Sequence, residues 1–162
     1  MFISTGKNVM MAVMNNWDLK DVNNAVYSNQ SSGRDIFLAS DIGATFGTNG
    51  LSWSKERSKG DVDTFQNSKF ITHRANGVVN FGTPAQPLPL MAVNAKQFQM
   101  RRDLEWIGKE IPIADARWIG SLLKQLSHQQ LVDAFRAGHF PPDEIDRYVE
   151  VVEARIQQLM AL

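Results

Sequence analysis

The sequence predicts a mostly helical α+β domain, and three observations support this fold class. Two short apolar segments flank a polar turn at residues 28–34, which is typical of a β-hairpin. A second pair of apolar segments flanks Asn76-Gly77, a strong hairpin signal. The last third of the chain carries apolar residues at helical spacing in three segments. With 162 residues, of which 43% are hydrophobic, the chain suits a single domain with one core.

The first region, residues 6–47, begins with a short predicted helix. Its apolar residues recur at three- and four-residue spacings: Val9, Met10, Val13, Met14 and Trp17. The polar stretch 15–24 contains two Asn-Asn pairs, which favour a loop over a continued helix. Strands are then predicted at residues 25–27 and 35–40. The predicted order in this region is therefore helix, loop and hairpin.

The middle region, residues 48–112, is predicted to be irregular apart from a hairpin near residues 70–81. The segment from Ala44 to Asp63 shows no apolar period, and we expect a long mobile surface segment there. Pro84, Pro87 and Pro89 then interrupt regular structure. These prolines predict a crossing between parts of the domain.

The final region, residues 113–162, is predicted to be a three-helix subdomain. The first helix has one apolar stripe: Ala116, Ile119, Leu122, Leu123 and Leu126. Ser127 and Gln130 form a capping-box pattern that opens the second helix, and Gly138 closes it. The third helix follows Pro141-Pro142, and six apolar residues share one of its faces: Ile145, Tyr148, Val149, Val152, Ile156 and Leu159. Three tryptophans are expected to anchor the core: Trp17, Trp106 and Trp118.

The charge balance gives no sign of a nucleic-acid or membrane partner. Seventeen basic and seventeen acidic side chains give a formal net charge of +0, so no whole-domain field draws the chain to anionic polymers or lipid. The lack of cysteine excludes disulfides and a cysteine nucleophile. The histidines share no metal-ligand spacing, so no zinc site is predicted: His73, His128 and His139. No signal or transmembrane segment is visible, which makes the cytoplasm the default expectation.

Four polar residues near the start of the chain suit magnesium-assisted phosphoryl transfer. That reaction needs a carboxylate that orients the attacking hydroxyl and oxygen ligands that hold magnesium on the phosphates. Asp18 and Asn23 lie five positions apart in one polar loop, and Asp41 follows a predicted strand. Magnesium prefers oxygen ligands, which Asn23 and Asp41 offer. Lys20 brings a compact positive charge to the same loop.

These residues resemble the protein-kinase-like superfamily. The run from Asp18 to Asn23, Asp-Leu-Lys-Asp-Val-Asn, fits the Asp-Leu-Lys-x-x-Asn catalytic loop, and Asp41-Ile42-Gly43 resembles the Asp-Phe-Gly metal motif. The resemblance covers roughly residues 6–47. It implies the C-terminal catalytic lobe of a kinase, with Asp18 as the catalytic base and Lys20 as a catalytic and phosphate-contacting residue. It also implies that Asn23 and Asp41 ligate Mg²⁺ and, with Lys20, bind the cofactor ATP.

Departures from the family pattern point to an atypical branch, such as the HipA-like, spore-coat-kinase-like or phosphoinositide-kinase-like families. Asn16-Trp17 stands where conventional protein kinases have His-Arg, and the predicted hairpin between the two motifs is longer than theirs. The family's glycine-rich loop and strand lysine precede the catalytic loop, and this chain has no room for them. We therefore expect a fragment whose N-terminal lobe is missing, and which is inactive alone. The expected partners are that lobe, a nucleotide and a phosphate acceptor that the sequence does not identify.

A second hypothesis comes from a different class of protein. The chain would then be a non-catalytic interaction domain, either a degenerate kinase lobe or an unrelated helical binding module. In that case the stretch from Asp18 to Asn23 is a turn rich in asparagine and aspartate, and Asp41 is a turn residue before glycine. Convergence of the Asp18, Asn23 and Asp41 side chains on one cleft would distinguish the two hypotheses.

Overall fold

The computed structural model describes residues 2–16, 24–29, 33–39, 45–47, 60–82 and 105–162. Within these ranges the chain is α+β and mostly helical, which confirms the predicted fold class. A 3₁₀ helix occupies Glu105–Gly108. The helices are α1 (Phe2–Val13), α2 (Val62–Asn67), α3 (Ile113–Leu123), α4 (His128–Ala137) and α5 (Ile145–Met160). The strands are β1 (Asn24–Asn29), β2 (Arg34–Ala39), β3 (Ile71–Ala75), β4 (Val78–Phe81) and β5 (Ile111–Pro112).

Both predicted hairpins are present. β3 and β4 pair antiparallel around Asn76 and Gly77, and β5 adds to β4 to complete a three-stranded sheet. Asn76 and Gly77 both have positive φ, at 51° and 77°, as the tight turns that suit hairpin twist require. The Asn-Gly pair sets this turn because both residues tolerate the left-handed conformation at low cost. The backbone amide of Ile113 donates to the carbonyl of Gly77 at 2.9 Å, which joins the turn to α3.

The last helix, α5, lies at the centre of the core and packs against α1, α2, α3 and α4. All six positions predicted for its apolar face are buried. The apolar face of α4, formed by Leu131, Val132 and Phe135, is buried as well. The Ser127 side chain and the Gln130 side chain each bond the other's backbone amide, so the predicted capping box is present.

The prediction for the buried face of α3 was wrong in part. Leu122 and Leu126 are 46% and 43% exposed, and Trp118 is 45% exposed. A Cβ placed on Gly120 would lie 2.9 Å from Cβ of Leu159 on α5, so the two helices approach closely at this glycine. That approach turns Ala116, Ile119 and Gly120 toward the core, and leaves the bulkier residues of α3 outside. Residue size, as well as helical period, therefore determines which face of α3 packs against α5.

Two further expectations need correction. Trp106 is 67% exposed on the 3₁₀ helix, so it does not anchor the core; Trp17 lies outside the described residues. The predicted mobile surface segment from Ala44 to Asp63 is packed at both of its described ends: Gly47 and Val62 are buried. In the part of the chain that the structure describes, no helix combines the length and apolar character needed to cross a membrane.

Candidate functional site

The four residues predicted to carry the chemistry, Asp18, Lys20, Asn23 and Asp41, lie outside the described residues. Their roles, and a magnesium or nucleotide site built from them, stay predictions. The structure does describe residues on both sides of each motif. We call these the border residues: Asn15 and Asn16 before Asp18, Asn24 after Asn23, Ala39 before Asp41, and Thr45 to Gly47 after Asp41.

The hairpin β1–β2 occupies the interval between the two motifs. Its strands pair in one regular register of six residue pairs, from Asn24 opposite Ala39 to Asn29 opposite Arg34. Gly33 precedes β2 with a φ of 63°, a backbone conformation that glycine adopts readily. Because Asn24 pairs with Ala39, the chain enters this hairpin from Asn23 and leaves it toward Asp41 at the same end.

The end of α1 contacts the segment that follows the second motif. The backbone amide of Phe46 donates to the carbonyl of Met14 at 2.7 Å. The amide of Asn16 donates to the carbonyl of Met11 at 2.8 Å, and Asn15 has a positive φ of 54°, which asparagine tolerates better than most residues. Both asparagines are buried. The chain leading to Asp18 and the chain leaving Asp41 are therefore joined by a backbone hydrogen bond.

An aromatic cluster fixes Phe46, five residues after Asp41. The Phe46 ring makes edge-on contacts with Phe65, Phe135 and Phe140, with centroids 5.5, 4.8 and 5.6 Å apart. Such pairs stabilise a specific geometry as well as burying apolar area. Tyr148 stacks on Phe135 at 5.2 Å in the same cluster. Rings from α2, α4 and the segment after α4 thus contact this border residue, and the Tyr148 ring on α5 lies 6.3 Å from it.

Gly47 and Asp61 bring two separate segments of backbone together. The amide of Asp61 donates to the carbonyls of Phe46 and Gly47, both at 3.1 Å. Asp61 also caps α2, because its side chain accepts from the amide of Thr64 at 2.8 Å. Gly47 has a φ of 90°, and a Cβ there would lie 2.2 Å from the Asp61 carbonyl oxygen. Only glycine fits this position without displacing backbone.

Arg155 on α5 is a buried arginine that the sequence reasoning missed. It is 3% exposed, and Nη1 donates to the carbonyls of Ala12 and Val13 at 3.0 and 2.8 Å. Nη2 donates to the Phe65 carbonyl at 3.2 Å and to Ser68 Oγ at 2.6 Å. The guanidinium also lies 4.1 Å from the centroid of the Phe65 ring, a cation–π contact.

The buried guanidinium places positive charge at the C-terminus of α1. Burial lowers the pKa of Arg155 to about 10, so the group remains charged at neutral pH. A cation near a helix C-terminus is stabilised by the unpaired carbonyls of the last turn. A signal for Arg155 was present in the sequence, since it lies three residues after Val152 and four before Leu159, on the apolar face.

Tyr148 should make stability sensitive to alkaline pH. Burial first, and then the negative charges of Glu144 and Asp61, raise the pKa of Tyr148 above its ordinary value of 10. A raised pKa means that this group's contribution is fully present below pH 10 and is lost as the pH rises further, because the unfolded chain releases the proton first. We expect Tyr148→Phe to lose less stability than the wild type between pH 9 and pH 11 in urea unfolding.

The matched control for this prediction is Tyr27→Phe. Tyr27 is 60% exposed on the hairpin, and this variant should follow the wild type at every pH. At pH 7, Tyr148→Phe should be at least as stable as the wild type, because no hydrogen bond of normal distance and angle satisfies the buried hydroxyl within the described residues. Equal alkaline losses in all three proteins would show that Tyr148 is not the responsive group.

The described ranges contain no group of three or more histidine, aspartate or glutamate side chains that could hold a metal ion. The predicted magnesium ligands fall outside these ranges. Comparisons of the chain with protein-family models, with curated proteins and with solved structures found no match. Function is therefore inferred from the residues of this chain alone.

Proposed function

We propose that the chain is the C-terminal catalytic portion of an atypical kinase-like phosphotransferase, which transfers phosphate from a nucleoside triphosphate with magnesium. The observation that carries the proposal is the pairing of Asn24 with Ala39. In this register Asn24, the residue after Asn23, lies opposite Ala39, which is two positions before Asp41. The bond between Met14 and Phe46 joins the segment that precedes the first motif to the segment that follows the second.

The proposed ligands fit magnesium by their chemistry. The amide oxygen of Asn23 and the carboxylate of Asp41 are hard oxygen donors, and magnesium retains waters that complete its coordination. When bound, magnesium neutralises charge on the nucleotide phosphates. In this proposal Asp18 orients the acceptor hydroxyl and accepts its proton, and Lys20 places a positive charge beside the phosphate. The acceptor is a hydroxyl compound that these residues do not identify.

The test uses Mn²⁺ as a paramagnetic substitute for magnesium, since it takes the same oxygen ligands. Mn²⁺ with ADP is titrated into the ¹⁵N-labelled chain, and amide line widths are measured. We expect broadening concentrated at Asn24 and Ala39, at the open end of the hairpin, with little effect at Arg136 on α4. The readout is binding alone, so it does not require an N-terminal lobe or turnover.

Two aspartate variants complete this test. Asp41→Asn should abolish the local broadening, because it removes the charged ligand. Asp143→Asn changes an exposed aspartate before α5 and should leave the broadening unchanged. Broadening that survives in Asp41→Asn, or that spreads evenly over the molecule, would contradict the proposed ligands. Absence of any broadening at millimolar Mn²⁺–ADP would contradict the phosphotransferase proposal itself.

A second candidate, a non-catalytic interaction domain, is favoured by the exposed apolar residues of the hairpin. Tyr27 pairs with Ile36 across the strands, and Leu38 lies two residues farther along the same face. These three side chains are 60%, 51% and 46% exposed. Exposed apolar patches mark interaction surfaces in many proteins. This candidate predicts hairpin amide signals that are insensitive to Mn²⁺ and ADP in both the wild type and Asp41→Asn.

A further inference from the structure

A cavity of about 430 Å³ that is wide open to solvent lies where the β3–β4 turn meets α3 and the end of α5. Its wall contains two arginines, Arg74 from β3 and Arg117 from α3. The remaining lining residues are uncharged in their side chains: Ala75, Asn76, Gly77, Ile113 and Leu162. The volume lies within the range of small-molecule sites in proteins. The described residues that line it belong to β3, the β3–β4 turn, α3 and the end of the chain after α5.

The two guanidinium groups carry charge that the described residues do not neutralise. In the described ranges, neither Arg74 nor Arg117 forms an ion pair with a carboxylate side chain. Asp115, the acidic residue nearest Arg117 in sequence, is buried and accepts a hydrogen bond from Thr5 on α1. Arg74 donates to the Ala161 carbonyl at 3.4 Å, a contact that leaves its remaining donors available.

We propose that this cavity binds a small phosphomonoester, with Arg74 and Arg117 on the phosphate and the apolar residues against the organic group. Two guanidinium groups match a dianion, and their planar donors suit phosphate oxygens. Ala75, Ile113 and Leu162 supply the apolar part of the wall. A phosphomonoester would contact both the arginines and the apolar residues of this lining, whereas free phosphate would contact only the arginines. This proposal is argued from other residues than the proposed phosphotransferase and does not rest on it.

Three probes separate the contributions of charge and apolar contact: phenyl phosphate, inorganic phosphate and phenol. Each is titrated into the ¹⁵N-labelled chain at constant ionic strength, with the amide of Gly77 as the reporter. We expect phenyl phosphate to bind several-fold more tightly than inorganic phosphate, and phenol to cause no shift at Gly77. Equal affinity for the two phosphates would overturn the assignment of the apolar wall.

Arginine variants test the charged half of the site. Arg74→Gln and Arg117→Gln should each weaken phenyl phosphate binding by about tenfold or more, as loss of a charge-assisted hydrogen bond implies. Arg136→Gln removes an exposed arginine of α4 outside the cavity and should leave affinity unchanged. All three positions are exposed, so the variants are expected to fold. Unchanged binding in both cavity variants, or an equal loss in Arg136→Gln, would overturn the proposal.

Broadening by Mn²⁺–ADP at Asn24 and Ala39 should be unaffected by every variant in this series, so the two proposals fail separately.

Discussion

Replacing Arg155 by methionine is expected to lower the free energy of unfolding by about 3 kcal/mol. Methionine keeps a long apolar side chain on α5 but removes the donors that bind the carbonyls of Ala12, Val13 and Phe65. A buried acceptor that loses its hydrogen-bond donor retains its full desolvation penalty with no hydrogen bond to offset it. The change also removes the cation from the C-terminus of α1. Urea unfolding followed by circular dichroism gives the difference directly.

The matched control is Arg147→Met, on the same helix two turns earlier. Arg147 binds Asp63 at 2.5 Å and Gln66 at 2.8 Å, but this ion pair is exposed. Exposed pairs contribute little, so the control should unfold close to the wild type. Arg155→Lys should fall between the two, because a lysine keeps the charge but lacks the planar set of donors. If Arg155→Met proved as stable as the wild type, the free-energy cost of desolvating the guanidinium would equal the whole stabilisation from its hydrogen bonds, which would contradict this prediction.

The parts of the fold that the sequence predicted are those set by local chemistry. The Asn76-Gly77 turn depends on two residues that accept positive φ, and the capping box depends on Ser127 and Gln130 alone. The face of α5 repeats over sixteen residues, long enough for helical period to be unambiguous. In each case the deciding interaction lies within one element or one turn.

The parts that the sequence did not predict depend on contacts between distant segments. Trp118 and Leu122 are exposed because α3 approaches α5 at Gly120, and a stripe of apolar letters does not reveal that approach. Phe46 lies in a stretch rich in glycine and serine, yet rings from two helices and from the segment after α4 contact it. The role of Arg155 was not predicted, because its partners on α1 are more than 140 positions away.

The candidate site likewise combines local features that the sequence predicted with long-range contacts that it did not. The residue types and order of Asp18, Asn23 and Asp41 predict a chemistry. Their separations along the sequence, five and eighteen positions, do not determine how far apart the side chains lie in space. The hairpin prediction was local, and the register from Asn24 to Ala39 agrees with it. The bond between Met14 and Phe46 was beyond sequence reasoning because 32 residues separate its ends. This long-range bond joins the described segments that flank the two motifs.

Replacing Gly47 by alanine is expected to lower the free energy of unfolding by about 3 kcal/mol or more, because two costs add. A φ of 90° is unfavourable for any residue with a Cβ, and the added atom would lie 2.2 Å from the Asp61 carbonyl oxygen and 2.7 Å from Thr64 Oγ1. Relief requires the 45–47 segment to move away from α2. That movement breaks the bonds from the Asp61 amide to Phe46 and Gly47.

Gly33→Ala separates these two costs. Gly33 has a φ of 63°, but apart from its chain neighbours no atom of the described residues lies within 4 Å of its added Cβ, so we expect only the backbone cost of about 1 kcal/mol. Urea unfolding of both variants gives the difference, and the ring signals of Phe46 and Phe135 report whether the aromatic cluster has opened. Equal losses in the two variants would show that the close approach of the added Cβ at Gly47 adds no steric cost to the free energy of unfolding.

If Gly47→Ala stays folded, the phosphotransferase proposal predicts weaker Mn²⁺ broadening at Ala39, because Gly47 lies six residues after the proposed ligand Asp41. Unchanged broadening in a folded Gly47→Ala would mean that the segment after Asp41 does not position that ligand.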